Sequence, residues 1–329
     1  MTLSTLRKIA FTVAAGLATV TVAAVATVAH AEDKVRVGVF ASSSALPYFV
    51  GLERGYFKEA GIAVETVTLA SAPLIVQSLV SGDIDAASNL VTLEGANISQ
   101  RRPNTLTYIS LNGQNAQYIT EQFVVKAGSQ ARTLKDLKGA RLFSAPGPAN
   151  VGTAKAVLKA IGLEENKDYT MQEQQLSVHL GALQAGTFDA GYTLEPVAST
   201  MIKQGVARRL EAGVISTHLL GNPSSQAYAA GGALSNKLIA ERPDVAARFA
   251  RAWARSVAAA NSDASARDLL AKDMNVPAAL AATVPLANFV MVRDMTPAQK
   301  TDFQKFVDIG VSLGVVKGAV DTNTMIRGM

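Results

Sequence analysis

The sequence predicts an α/β protein of two lobes, each a sheet covered by helices. Two observations carry this. The chain writes one unit twice, as an amphipathic helix, a glycine, a strand, a second helix and then Gly-x-x-Asp-Ala: LPYFVGLERGYFKEAGIAVE leads to SGDIDAA, and VLKAIGLEENKDYT leads to GTFDAGY. Within each copy, strands alternate with helices, which is the grammar of a parallel sheet.

The N-terminus comes first. Arg7 and Lys8 precede an apolar run from Ile9 to Val28, and Ala29-His30-Ala31 supplies a small-x-small cleavage pattern. Such a run has the length of a membrane anchor, but its Ala and Thr content and its cleavage site favour a secretory signal. Residues 1–31 are therefore expected to be removed, leaving an exported chain that starts at Glu32. No later stretch holds the eighteen or so apolar residues that a membrane helix needs.

In the first copy, Val35 to Phe40 is a strand and Ala41 to Ala45 a polar loop. A helix from Leu46 to Arg54 carries Pro47 in its first turn, where a missing N–H costs nothing. Ile62 to Leu69 alternates as a strand, Ser71 and Pro73 open a helix through Val80, and Ile84 to Ala87 is a third strand. In the second copy, Ala140 to Ser144 is a strand and Ala145 to Ala149 a turn-rich loop. Asn150 is the expected N-cap of a helix to Ile161, with Gly162 at C′. A strand at Tyr169 to Gln172, a helix near Ser177 to Ala185 and a strand at Asp189 to Leu194 complete it.

Between the copies, Glu121 to Lys126 reads as a strand and TLKDLKGARL as a short helix feeding another. Later, Gln226 to Ala233 is a strand, and Ser235 caps a long helical tract broken at Pro243. That tract packs most simply on an existing lobe, so the chain crosses between lobes twice, near 119–123 and 222–227. The expected division is 32–120 with 226–329 as lobe one, and 121–225 as lobe two. Gly113, Gly231 and Gly232 lie near the crossings, either to absorb hinge rotation or to serve tight strand ends.

Composition excludes several chemistries. With no cysteine there are no disulfides, no thiolate catalysis, no Cys-held zinc and no lipoprotein attachment site. The net charge is +5, but the basic residues are dispersed, and the pairs Arg101-Arg102 and Arg208-Arg209 do not make a nucleic-acid surface. Beyond the leader the histidines are His179 and His218. Neither stands in a metal-ligand or nucleophile motif, so no cofactor, metal or catalytic residue is expected.

Ligands of open parallel sheets sit beyond the carboxyl ends of the strands, where loops enter helices. Here those loops carry Ser42, Ser43 and Ser44, then Ala70 and Ser71, then Gly147, Pro148, Ala149 and Asn150. Free N–H groups and helix dipoles make such ends natural anion sites, although serine and asparagine also cap helices for structural reasons alone.

With these stretches in order, and with QSLVSGDIDAA, GPANVGTAKAVLKAIGL, LGALQAGTFDAGYTLEP and ERPDVAARFARAWARSVAAA, the chain from about Val35 onward resembles the periplasmic substrate-binding proteins of ABC transporters. The likeness is to the nitrate, sulfonate and taurine group. It implies the type II periplasmic-binding-protein fold: two lobes, each a helix-covered mixed sheet, joined by two hinge crossings and closing on a ligand. It implies a monomer that captures a small anion (sulfonate, taurine-like, nitrate-like or carboxylate) and delivers it unaltered to an inner-membrane ABC permease. A receptor for a membrane sensor remains an alternative. So does a pyrimidine-precursor binder or enzyme, since thiamine-precursor proteins share this fold.

The ligand loops implied by the resemblance fall on Ser42 to Tyr48, Ser71, Asn89, Gly147 to Asn150, and Tyr192 to Glu195. Tyr48 and Tyr192 read either as cleft walls with a hydroxyl donor or as packing between helix and sheet. Asn112 and Gln114 line the cleft or satisfy hinge backbone. Glu195 repels an anion if it faces the cleft, and then favours an amine, a hydroxyl or a basic partner; otherwise it is a surface residue. No Lys or Arg lies in these loops, so recognition is expected to rest on neutral donors and helix dipoles.

Overall fold

The computed structural model describes residues 32–329, so the expected signal segment lies outside the described residues. Strands β1 (Asp33–Phe40), β2 (Ile62–Leu69), β3 (Ala86–Val91), β4 (Leu106–Tyr108) and β5 (Ser110–Gln114) come first. The chain then enters a second sheet built from β6 (Glu121–Lys126), β7 (Arg141–Ser144), β8 (Thr170–Glu173), β9 (Ala190–Leu194) and β10 (Ala207–Ala212). It returns with β11 (Ala227–Ser235) and β12 (Asn288–Met291). The first sheet runs β12-β5-β11-β3-β1-β2 with β4 beside β11; the second runs β10-β6-β9-β7-β8.

Each lobe is therefore a helix-covered mixed sheet. β1 pairs in parallel with β2 and β3, and β7 with β8 and β9. The strands after each crossing run the other way: β6 is antiparallel to β9, and β11 to β3. Among the described residues no helix is long and apolar enough to cross a membrane.

The repeated Gly-x-x-Asp-Ala performs one structural task twice. Gly82 (φ 83°) and Gly186 (φ 78°) reverse the chain after a helix in left-handed conformation, which glycine adopts without a Cβ penalty. Three residues on, Asp85 accepts from the Arg36 backbone N–H at 2.9 Å and from its guanidinium at 2.8 and 3.0 Å. Asp189 does the same for Arg141, with 3.0 Å to its backbone N–H and 3.0 and 3.1 Å to its guanidinium. In each lobe the carboxylate grips an arginine of the strand next to the sheet edge, Arg36 of β1 or Arg141 of β7, with the forked geometry that suits Arg and carboxylate.

Local boundaries differ from the sequence reading in instructive ways. The helix expected to begin at Asn150 spans Pro148–Ala160, with Gly147 (φ 107°) as its N-cap residue. Pro148 suits the first helical position because its missing N–H would be unpaired there anyway, and the Asn150 amide donates back to the Pro146 carbonyl at 2.8 Å. TLKDLKG makes a 3-10 turn, Leu134–Leu137, closed by a Thr133–Asp136 capping box. Ser235 does cap the next helix, accepting from the Leu238 N–H, and the tract restarts as Pro243–Ser262. That helix buries Phe249, Trp253 and Val257 in the first lobe's core, and the Trp253 indole donates to Ser110 at 2.8 Å. Gly113, Gly231 and Gly232 lie inside β5 and β11. A Cβ on them would come within 2.1, 2.2 and 2.6 Å of Gln226, the Ser110 carbonyl and Trp253, so all three serve close packing.

Candidate ligand-binding cleft

A cavity lies where loops from both sheets meet beyond the carboxyl ends of β1 and β9. From the first sheet come Ser42, Ser43, Ser44, Asn112 and the β11 residues Ala229 and Ala230; from the second come Thr120, Glu121, Asn150, Leu194 and Glu195. Its volume is about 30 Å³, room for roughly two water molecules.

The serine loop is shaped from below by Asn89, on β3. Its amide nitrogen lies 2.8 Å from the Phe40 carbonyl, 3.1 Å from Ser42 Oγ and 3.0 Å from Ser44 Oγ. Its oxygen accepts from the Phe40 N–H and the Ser88 hydroxyl. Ser42 and Ser44 also bond each other at 2.6 Å. Both hydroxyls are thus engaged within the loop. The Ser43 hydroxyl is different: the residue is fully buried, lines the cavity, and its Oγ has no partner. Buried polar groups are nearly always paired, so this oxygen stands out among the three serines as the one left without a protein partner.

The opposite wall is acidic. Glu195 is completely buried, and its carboxylate accepts from Gln122 at 2.7 Å, the Ser199 N–H at 3.1 Å and Arg209 at 3.3 Å. Burial pushes its pKa up, while the Gln122 and Ser199 bonds and the Arg209 charge oppose that. Of the alternatives open at Glu195, the basic partner is present, in Arg209. Its carbonyl also accepts from the Ser43 N–H at 2.8 Å, a bond that joins the two lobes. Glu121 accepts from the Tyr192 hydroxyl. Burial raises its pKa too, against the Tyr192 and Gln114 side chains. No Lys, Arg or His lines the cavity.

The remaining candidates lie around this space without lining it. Tyr48 is buried beside Phe49 and Phe57 and bonds Thr66 at 2.6 Å. Tyr192 stands behind Glu121. Ser71 precedes the helix Ala72–Ser81 with no side-chain cap bond. Pro148 and Ala149 open a helix whose N-terminal end is already faced by Glu94: a Cβ on Gly147 would lie 3.1 Å from its Oε1. Burial raises the Glu94 pKa and the Ala149 N–H opposes this. The Glu94 carboxylate thus lies close to that helix end, with its Oε1 unpartnered. Thr120, Glu121, Ala229 and Ala230 line the cavity and were not singled out in the sequence. The available signal was a charged residue opening a crossing strand in EQFVVK.

Comparison with known proteins agrees with this architecture. The family described as NMT1/THI5 like matches residues 42–265. The chain belongs to the NMT1/THI5-like family. No curated protein matches it. Among solved structures, this NMT1/THI5-like chain is similar to the alkanesulfonate-binding protein SsuA from Xanthomonas axonopodis pv. citri bound to MOPS. The TM-score is 0.70 at 19% identity, over 90% of this chain and 98% of that one. The periplasmic aliphatic sulphonate binding protein SsuA from Escherichia coli gives 0.68 at 18%, over 89% and 97%. The periplasmic nitrate-binding protein NrtA from Synechocystis PCC 6803 gives 0.69 at 15%, over 89% and 86%. At these identities the likeness establishes the periplasmic-binding-protein fold. Among the described residues no group of three His, Cys, Asp or Glu side chains could hold a metal ion.

Proposed function

We propose that this chain is an extracytoplasmic solute-binding protein that captures a small polar solute between its lobes and hands it, unaltered, to an ABC permease. The observation that carries this reading is the cavity itself: both lobes contribute polar residues to it, and one fully buried hydroxyl in it has no protein partner. The similar sulfonate- and nitrate-binding proteins support the class of function. The lobes divide as 32–120 with 226–329, and 121–225. Export follows cleavage near Ala31, and the protein works as a periplasmic monomer. The sequence pointed to an anion, and neutral donors such as Ser43 and Asn150 suit an acceptor group on the solute. The chain carries no catalytic residue in this reading.

Native mass spectrometry of the purified protein tests the proposal. A bound small molecule released with its mass unchanged supports a carrier, and a chemically altered product marks an enzyme. At a hundred times its dissociation constant, the solute should add about 2.7 kcal/mol of stability.

A further inference from the structure

The cleft's charge is at odds with a bare anion. Glu121 lines the cavity on the second-lobe side, its carboxylate's hydrogen-bond partner is the neutral Tyr192 hydroxyl, and no basic residue lines the same space. The two cavity carboxylates are not equivalent. Glu195 is compensated inside the protein by Arg209, Gln122 and the Ser199 N–H. Glu121, at the first position of β6, is not balanced by any positive group among its bonded partners. A nitrate or alkanesulfonate held here would bring a second negative charge against a poorly solvated carboxylate, which Coulomb repulsion disfavours. Across the cavity, the Ser43 hydroxyl has no protein partner and is free to meet a polar ligand group.

We infer that the ligand presents a protonated amine to Glu121, so that the cleft selects small primary ammonium compounds and rejects small anions that lack an amine. This rests on the solute-binding reading and deepens it. In the bound complex the ammonium N–H groups donate to the free lone pairs of Glu121, while Tyr192 continues to donate to its Oε2. An acceptor elsewhere on the ligand takes the Ser43 hydroxyl. Glu121 is then a specificity residue, and Tyr192 a positioning residue behind it. The rival role for Glu121 is a protonated carboxyl that donates to an anion, and the Gln substitution separates the two. An amide also donates, so Glu121→Gln would preserve anion binding but would lose the charge-assisted bond to an ammonium.

The experiment strips the purified protein by unfolding and refolding. It then dialyses it against a protein-free small-molecule ultrafiltrate of a bacterial lysate, supplemented with equimolar ethylammonium, ethanolammonium, ethanesulfonate, acetate and nitrate. Retained compounds are identified by native mass spectrometry and amine derivatisation. The expected result is retention of an amine by the wild type, with affinity about tenfold to a hundredfold weaker in Glu121→Gln. An amine retained equally by both proteins overturns the role of Glu121. A retained compound without an amine overturns the inference and leaves solute binding standing. Retention of nothing overturns the solute-binding reading and the inference with it. Should Glu121→Gln fail to fold, Glu121→Asp keeps the charge and must still prefer the amine.

Discussion

The Ser43 backbone N–H donates to the Glu195 carbonyl at 2.8 Å, so the loop after β1 in one lobe is tied directly to the end of β9 in the other. The bond forms only when the lobes meet. Ser42 is extended (φ −143°, ψ 160°), and Ser43 opens a 3-10 turn, so proline fits the local backbone at position 43. Ser43→Pro removes the donor and puts a ring carbon where the N–H pointed at Glu195. The lobes are expected to part, with a larger radius of gyration by small-angle scattering. Ser43→Ala, which removes only the hydroxyl, should keep the wild-type radius. An unchanged radius in the proline variant would show that this bond does not hold the lobes together.

Asn89 lies beneath the cleft and does not line it, yet its amide holds Phe40, Ser42 and Ser44 together. Asn89→Ala leaves the buried Phe40 N–H unpaired, while the Phe40 carbonyl keeps the Ser42 N–H, and should cost about 2 kcal/mol in equilibrium unfolding. It should also weaken ligand binding in calorimetry, because the serine loop loses its shape. Lower stability with full affinity would reduce Asn89 to a purely structural role.

The doubled unit was legible in the sequence because apolar periodicity and the two Gly-x-x-Asp-Ala stretches are local signals. Strand direction was not, since nothing inside EQFVVK or QAYAAGGA tells whether a neighbour runs parallel; that is settled by the crossings. SLNGQ, buried as β5, carries the residues of a turn, so nothing local marks it as a strand. The serine loop could be found because it follows a predicted strand and leads into a predicted helix. Glu121 escaped because it sits in a crossing strand, where periodicity speaks only of core. At Asn150 two signals competed, and the fixed φ of Pro148 prevailed over the capping preference of asparagine.

Arg209 is the basic partner of the fully buried Glu195, and its own side chain is 35% exposed. Arg209→Ala removes that compensation and leaves a carboxylate whose pKa burial already raises. The group can relieve itself by taking up a proton, so the damage grows with pH. A loss of about 2 kcal/mol is expected at pH 8, and a clearly smaller one at pH 6, by urea unfolding. An equal loss at both values would mean that Arg209 contributes packing and not charge.

His179 sets a second pH dependence, at lower pH. Its ring is buried against Phe143, with centroids 4.3 Å apart. Nε2 faces the Gln174 carbonyl at 3.0 Å and Nδ1 the Thr193 hydroxyl at 2.8 Å. A carbonyl can only accept, so Nε2 carries the hydrogen and Nδ1 accepts from Thr193. Burial lowers the pKa from 6.5 to about 4, against the Gln174 bond. The folded protein therefore excludes a proton that the unfolded chain takes up once the pH drops below 6.5. The stability held by neutral His179 is complete above that value, and it is lost progressively down to about pH 4. Between pH 7 and pH 5 the loss amounts to about 2 kcal/mol. Glu94, Glu121 and Glu195, whose pKa values burial raises, gain stability over part of the same range, so the wild-type curve alone does not isolate the histidine. The test is the difference between wild type and His179→Gln in denaturant unfolding at the two pH values. The variant should be less stable at pH 7, and the gap should narrow by about 2 kcal/mol at pH 5. Parallel curves would mean that His179 is protonated in the folded protein, in conflict with its burial beneath Phe143.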